Sequence, residues 1–417
     1  MKFWAALLIF ASLLISPNLL YLAGTGYTQA EGAAYLKIHP VTYISVFSVA
    51  IIFLMRRRNK ANFFNDRFLL FLILWGGLLS VYCVLMGFNV SGAVVTLFTP
   101  VLFLYVAHRL NREQLGEIEP WLRFLLAMNA VVGIYELISG DTLLPRIVAD
   151  VIVQTDQRSL GFVGHPLSSA ALSGIVTVYL LYRTVFFGLS FGTRLLSVGE
   201  LALHVVALAA FASRATIVFV FALAIIMIFL HRNKKKISGQ NFWRIFVAVM
   251  IVVIVAFLAQ SEFAEIAMAR FLGDQYTDSS SQSRFTLLAL LSSMGATEWL
   301  TGVTLARRLE LQDIFDTTYG VEVTWIAWIL SFGLIWTVAL MISLWKLLMT
   351  ISRFKGASHI FMTAFFLLVI TSAQGLGGKT LLLMWFLSIL LCFQGSNELV
   401  IVNLPARRKN IFYKGLM

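Results

Sequence analysis

Residues 195–230 read LLSVGELALHVVALAAFASRATIVFVFALAIIMIFL, an apolar run with no Gly or Pro at its middle and with one arginine, Arg214, inside it. Arg183 and Arg194 precede the run, and Arg232, Lys234, Lys235 and Lys236 follow it. Basic clusters beside membrane spans mark the cytoplasmic side, so both flanks belong on one side and an even number of spans must separate them. Two short spans, 195–211 and 215–230, joined by a tight turn near Ser213 and Arg214, satisfy that condition. The stretch reads as a helical hairpin across a bilayer.

The composition extends this reading to the whole chain. Of 417 residues, 59% are hydrophobic and 12% charged, with a mean hydropathy of +0.87. A soluble domain carries about 25% charged residues and cannot hide this much apolar surface from water. The expected fold is an all-α polytopic transmembrane bundle of about 12 spans, which at about 20 residues each use roughly 240 residues. The spans fall near 3–23, 40–55, 68–86, 91–107, 120–138, 166–186, 195–211, 215–230, 243–260, 322–345, 357–374 and 380–394. Residues 1–417 form a single transmembrane domain with both termini cytoplasmic, the first span is uncleaved, and residues 395–417 make a basic cytoplasmic tail. A large soluble catalytic domain is excluded. Cys83 and Cys392 lie in separate apolar runs and suggest neither a disulfide framework nor a metal site.

The net charge of +12 separates into two parts. With this topology 23 of the 32 Lys and Arg residues are cytoplasmic, which accounts for the basic excess without a nucleic-acid partner. The nine outside are Lys37, Arg146, Arg158, Arg214, Arg270, Arg284, Arg307, Arg308 and Lys379, and seven of them are Arg. Guanidinium groups bind phosphate oxygens bidentately, so several converging on an outer cavity suit a diphosphate. Arg146 and Arg270 read equally well as cations snorkelling to lipid headgroups. Arg214, between two apolar spans with no acidic neighbour in sequence, reads as an unpaired cation awaiting an anionic ligand.

Two outer segments are long. In 139–165, Pro145-Arg146-Ile147-Val148 is expected to start a short interfacial helix. In 261–321, Phe263, Ile266 and Phe271 suggest one amphipathic helix and Phe285, Leu288, Leu291 and Met294 another, separated by a polar turn at Asp278–Ser283. Both helices are expected on the outer membrane surface or at the bundle mouth. Carboxylates within spans cost about 2.5–3.5 kcal/mol, which singles out Glu136, Glu200 and Glu322. Glu200 and His204, four residues apart, can share a helix face, either as a structural bridge or as a proton relay.

An ordered set of elements follows: Arg158-Ser159-Leu160-Gly161-Phe162-Val163-Gly164-His165-Pro166, then Ser213-Arg214-Ala215, then Arg284 with Gly295 eleven positions on, Thr301-Gly302-Val303, and Ser331-Phe332-Gly333-Leu334. In order and topological side this set resembles the O-antigen ligase and O-antigen polymerase superfamily of bacterial membrane glycosyltransferases. The ligases typically carry a His-Asn pair about eleven residues before the Gly of the Gly-Leu element; here that position is Glu322, followed by Val323. The departure favours the polymerase branch over a ligase-type glycan transferase. A polysaccharide or lipid transporter is a third reading, but neither inverted repeats nor helices broken at mid-membrane are evident in the sequence.

The resemblance implies a polysaccharide polymerase of the bacterial inner membrane. Its donor and acceptor would be undecaprenyl-diphosphate-linked oligosaccharides on the periplasmic face, with a flippase and a chain-length regulator as partners. Arg214 and Arg284, helped by Arg158, Arg307 and Arg308, would hold the diphosphate without a metal or other cofactor, and Glu322 would be the general base. His165 and Tyr319 are the candidates for contacting the sugar.

Overall fold

The computed structural model describes residues 1–28, 33–54, 66–88, 90–148, 151–152, 158–230, 240–260, 279–315, 321, 323–372 and 376–394. The molecule is an all-α bundle with one small hairpin. Its first half contains α1 (Lys2–Leu14), α2 (Pro17–Leu22), α3 (Pro40–Leu54), α4 (Asp66–Leu85), α5 (Ser91–Ala107), α6 (Arg112–Gly116), α7 (Glu119–Ser139) and α8 (Pro166–Phe186). There follow α9 (Phe191–Phe211), α10 (Arg214–Leu230), α11 (Gln240–Gln260), α12 (Ser279–Ser292), α13 (Ala296–Thr301), α14 (Leu305–Ile314), α15 (Thr324–Lys355), α16 (Ala357–Ser372) and α17 (Leu382–Cys392).

Among the described residues, five helices are long and apolar enough to cross a membrane: 68–85, 112–139, 166–186, 191–211 and 324–355. Six shorter apolar helices accompany them. The outward surface is greasy, with Phe53, Leu54, Leu85 and Leu196 each more than three-quarters exposed. Polar residues such as Thr42, Asn129 and Glu136 are buried instead. A bundle that exposes so many large apolar side chains while burying polar residues within an apolar core is solvated by lipid, so the protein is membrane-embedded.

Helix α8 is the hub, buried along nearly all its length and packed against α9, α10 and α16. Its Ser168, Ser169, Ala170, Ala171, Ser173 and Gly174 let neighbouring helices come close. A Cβ on Gly174 would stand 2.3 Å from the Phe365 ring on α16, and one on Gly133 of α7 the same distance from Phe211 of α9.

Charged contacts gather at one end of the bundle. There Glu119 accepts from Arg183 (3.3 Å) and from the backbone N–H of Gln394 (3.1 Å), and Arg123 pairs with Glu200. Arg112 lies over Phe354, and Lys2 pairs with Glu117. At the opposite end, α9 stops at Phe211, Ala212 takes a left-handed conformation (φ 48°), and α10 begins at Arg214. The expected tight turn near Ser213 is present.

Three expectations fail in the segments 139–165 and 261–321. Pro145–Val148 starts no helix: Ile147–Val148 (β1) pairs antiparallel with Val151–Ile152 (β2), as suits β-branched residues. Ser279–Ser283 is no turn but the first part of α12, because serines are tolerated where a helix starts. The buried face of α12 and the residues after it is Leu287, Leu290, Leu291 and Met294, whereas Leu288 is half exposed. These residues join Val303, Leu311, Ile326, Ile329 and Leu330 in a small separate core over the start of α15. Phe263, Ile266 and Phe271 lie outside the described residues.

Candidate functional site

The loop Arg158–His165 is built by hydrogen bonds from four elements. Glu136, near the end of α7, accepts the backbone N–H groups of Leu143 (3.0 Å), Leu160 (2.7 Å) and Gly161 (2.8 Å). Asn129, two turns earlier on the same helix, accepts from Val163 N–H (3.2 Å). Asn18 of α2 donates to the Gly164 carbonyl (2.9 Å), and the Ser169 hydroxyl of α8 donates to the Leu160 carbonyl (2.6 Å). Finally, Ser159 N–H reaches the Ala210 carbonyl at the end of α9 (3.4 Å). Buried loop backbone demands such partners, which explains why α7 carries a buried carboxylate.

The two glycines of the loop have a geometric cause. Gly161 and Gly164 have φ of 63° and 82°, and a Cβ on Gly161 would fall 2.4 Å from the Asn129 side-chain oxygen. The Gly-Phe-Val-Gly pattern is therefore what lets the loop press against α7 and α2.

The bond from Ser159 to Ala210 brings the Arg158 segment to the α9–α10 corner that carries Arg214. Both arginines are half-buried. Each already interacts with groups of the protein, so the expectation that Arg214 is unpaired does not hold. At a membrane-embedded corner a lone guanidinium is too costly to leave without an internal partner.

Beside the same loop lies a cavity of about 190 Å³, bordered by Asn18, Tyr27, His39, Ile147, His165, Lys379 and Trp385, among others. Residues 376–380 are fixed around Lys379. Thr96 of α5 donates to the Gly378 carbonyl (2.6 Å) and accepts from Thr380 N–H (3.1 Å). Thr324 accepts from Leu376 N–H (3.0 Å), and Trp328 donates to the Leu376 carbonyl (3.0 Å). The Lys379 ammonium sits 3.5 Å from the centre of the Tyr27 ring.

The two histidines of this cavity differ. His39 is satisfied: Nε2 contacts the Ile15 carbonyl (2.8 Å) and Nδ1 accepts from Val41 N–H (3.3 Å), which fixes a neutral tautomer. Burial, offset by the Ile15 bond and aided by Lys379, lowers its pKa to about 4. His165 leaves its buried Nδ1 without a hydrogen-bond partner. Burial, then the charges of Arg146 and Arg158, bring its pKa down to about 4 as well.

Arg307 and Arg308 lie on α14, above the first half of α15. Arg307 is engaged by Glu298 (3.3 Å) and Glu310 (2.8 Å), so its charge is already balanced by carboxylates. Arg308 reaches the Ser331 hydroxyl (3.3 Å) and stands over the Phe88 ring. Partial burial pushes its pKa below the ordinary guanidinium value. Glu322 and Tyr319 lie outside the described residues, and Arg284 is placed on α12 by its backbone alone. Glu200 pairs with Arg123, with 3.1 Å between Arg123 Nε and Glu200 Oε1. His204 is fully buried with neither ring nitrogen hydrogen-bonded, so no hydrogen bond joins it to Glu200, and the bridge between helices is made by Glu200 alone with Arg123.

His165 was legible from sequence, whereas Tyr27, His39 and Lys379 become neighbours only through folding. The available signal was that Lys37 and Lys379 are the two lysines among the nine cations expected outside. No family model, no curated protein and no solved structure matches the chain.

Proposed function

We propose that the chain is a polysaccharide polymerase that joins undecaprenyl-diphosphate-linked oligosaccharide repeat units at the periplasmic face of a bacterial inner membrane. In this reading the chain crosses the membrane twelve times with both termini cytoplasmic. The observation that carries the proposal is the Ser159–Ala210 hydrogen bond, which joins the Arg158 segment to the Arg214 corner beside a cavity at one end of the bundle. Two further pieces of the family resemblance, Gly302 and Gly333, also pack together.

The chemistry is a substitution at the anomeric carbon. An acceptor hydroxyl forms the new C–O bond, the bond to the lipid diphosphate breaks, and the hydroxyl proton passes to Glu322. Arg214 and Arg158, with Arg284 and Arg308, stabilise the negative charge that grows on the departing diphosphate. Arg307, held by two carboxylates, ties α14 to α13 rather than meeting the anion.

Deleting the gene tests the reading. Single repeat units should accumulate on the lipid carrier while long chains disappear, and Arg214→Ala or Glu322→Gln at normal protein levels should reproduce that state. Persistence of long polymer with failure only of its transfer to a final acceptor would show a ligase instead.

A further inference from the structure

The cavity beside the Arg158–His165 loop is bordered by hydrogen-bonding groups that the fold does not use. Tyr27 and Ser168 are 3% and 7% exposed, and among the described residues neither hydroxyl has a hydrogen-bond partner. Burial alone pushes the Tyr27 phenol up, as suits a hydroxyl without an internal partner. The buried Nδ1 of His165 is unpartnered as well. Other polar neighbours are engaged: His39 meets Ile15 and Val41, and Asn18 meets Gly164. Lys379 donates to the Tyr27 carbonyl and lies over the Tyr27 ring, so its ammonium is committed to the protein. Three neutral groups are left to meet an occupant.

Buried polar groups are paired in native structures, by water or a ligand where the protein does not pair them. Water alone suits this space poorly. A volume of about 190 Å³ would take roughly six waters at about 30 Å³ each, and every ordered water wants about 2–4 polar partners. Three unused side-chain groups anchor few of them. Much of the wall is apolar, from Ile15, Ile147, Val163 and Leu381, and Trp385 gives its Nε1 hydrogen to the Ser12 carbonyl (3.0 Å), which leaves its ring to border the space. An apolar cavity of about 150 Å³ takes up benzene, so this one has room for a single six-membered ring with substituents. Apolar faces with a hydroxylated rim describe a pyranose.

We propose that this cavity binds one pyranose ring through uncharged contacts, with Trp385 against the ring and Tyr27, Ser168 and His165 bonding its hydroxyls. The hydroxylated ring follows from the cavity alone; its place in a lipid-linked repeat unit rests on the polymerase reading. One loop then serves two parts of that substrate, with Arg158 at its start meeting the diphosphate and His165 at its end meeting a sugar.

Saturation-transfer NMR on the purified full-length protein, in a detergent without a sugar headgroup, tests this with glucose, galactose, mannose and N-acetylglucosamine as probes and cyclohexanol as the control ring. At least one sugar should bind tenfold more tightly than cyclohexanol. Tyr27→Phe, which keeps the ring under Lys379, and Ser168→Ala should each weaken that binding about threefold, and the double substitution at least tenfold. Binding of no sugar, which would leave water as the only occupant, overturns the proposal. So does equal binding of cyclohexanol, or unchanged binding by the double variant. Should the double variant fail to fold, Ile147→Trp, which fills the cavity from the hairpin, must abolish binding, and retained binding there overturns the proposal equally. Arg214→Ala separates the two readings. Under both it loses polymerisation yet binds the sugar normally; normal polymerisation with normal binding removes the polymerase reading alone, and lost polymerisation in a protein that binds no sugar removes the cavity proposal alone.

Discussion

Gly302 and Gly333 meet backbone to backbone: a Cβ on Gly302 would lie 2.9 Å from the Gly333 nitrogen, and one on Gly333 would lie 2.1 Å from the Leu300 carbonyl oxygen. Gly333 interrupts α15 with φ 76° and ψ 171°, and Val303 N–H donates to the Leu330 carbonyl (2.8 Å) at that break. Helices α13 and α14 are thereby locked to the kink.

Gly333→Ala combines a left-handed conformation with a backbone clash, so it should lower the thermal unfolding midpoint of the purified protein sharply and abolish function. Gly302→Ala should do nearly the same. Gly199→Ala, in α9 with nothing within 4 Å of the added Cβ, is the control and should be neutral or stabilising by up to about 1 kcal/mol. A mild Gly333→Ala would mean that the kink is not held by this contact.

Removing Glu136 should release the Arg158–His165 loop. Glu136→Ala leaves three backbone N–H groups without their acceptor, at roughly 1–3 kcal/mol for each that stays buried. Hydrogen exchange at Leu160 and Gly161 should accelerate at least tenfold, with little change in α16 and α17. Unchanged exchange would refute the anchoring role.

Arg123 and Glu200 tie α7 to α9 at the far end of the bundle. Arg123→Met strands a carboxylate in a largely buried position and should destabilise more than the double substitution Arg123→Met with Glu200→Leu. A double-substitution cycle in thermal unfolding measures this, and additive effects would show that the pair is not coupled.

Acid should weaken the fold through the two cavity histidines. His39 and His165 are lowered to about 4, whereas an unfolded chain protonates them near an ordinary value of about 6.5. Their contribution is complete above about pH 6.5 and is lost as pH falls from there to about 4, by at most roughly 3 kcal/mol for each histidine. Unfolding midpoints measured from pH 7.5 to 4.5 should fall, and His165→Gln should flatten part of that slope. An unaltered slope would remove His165 as a source.

These contacts show how far the residues could be read before folding. The Phe211–Arg214 corner followed from charge parity alone, because basic flanks restrict the number of crossings. The register of α12 did not follow. Leu287 and Leu290 are buried and Leu288 is exposed because α15 covers one side of the helix, and no pattern within 279–292 names its neighbour. The hairpin at Ile147–Ile152 was missed because Pro145 suits a helix start and a strand flank alike, leaving the β-branched pairs to settle the matter.

Sequence by itself determined that the protein lives in a membrane and where its cations concentrate, since hydropathy and charge are properties of each residue and act locally. Only the tertiary structure decided which of them meet. Lys379 joins Tyr27, His39 and His165 because Thr96, Thr324 and Trp328 fix the 376–380 segment from other helices. Glu136 is an anchor because buried loop backbone must find an acceptor. Such partners are chosen by packing between segments far apart in the chain, and that choice has no periodic signature in the sequence.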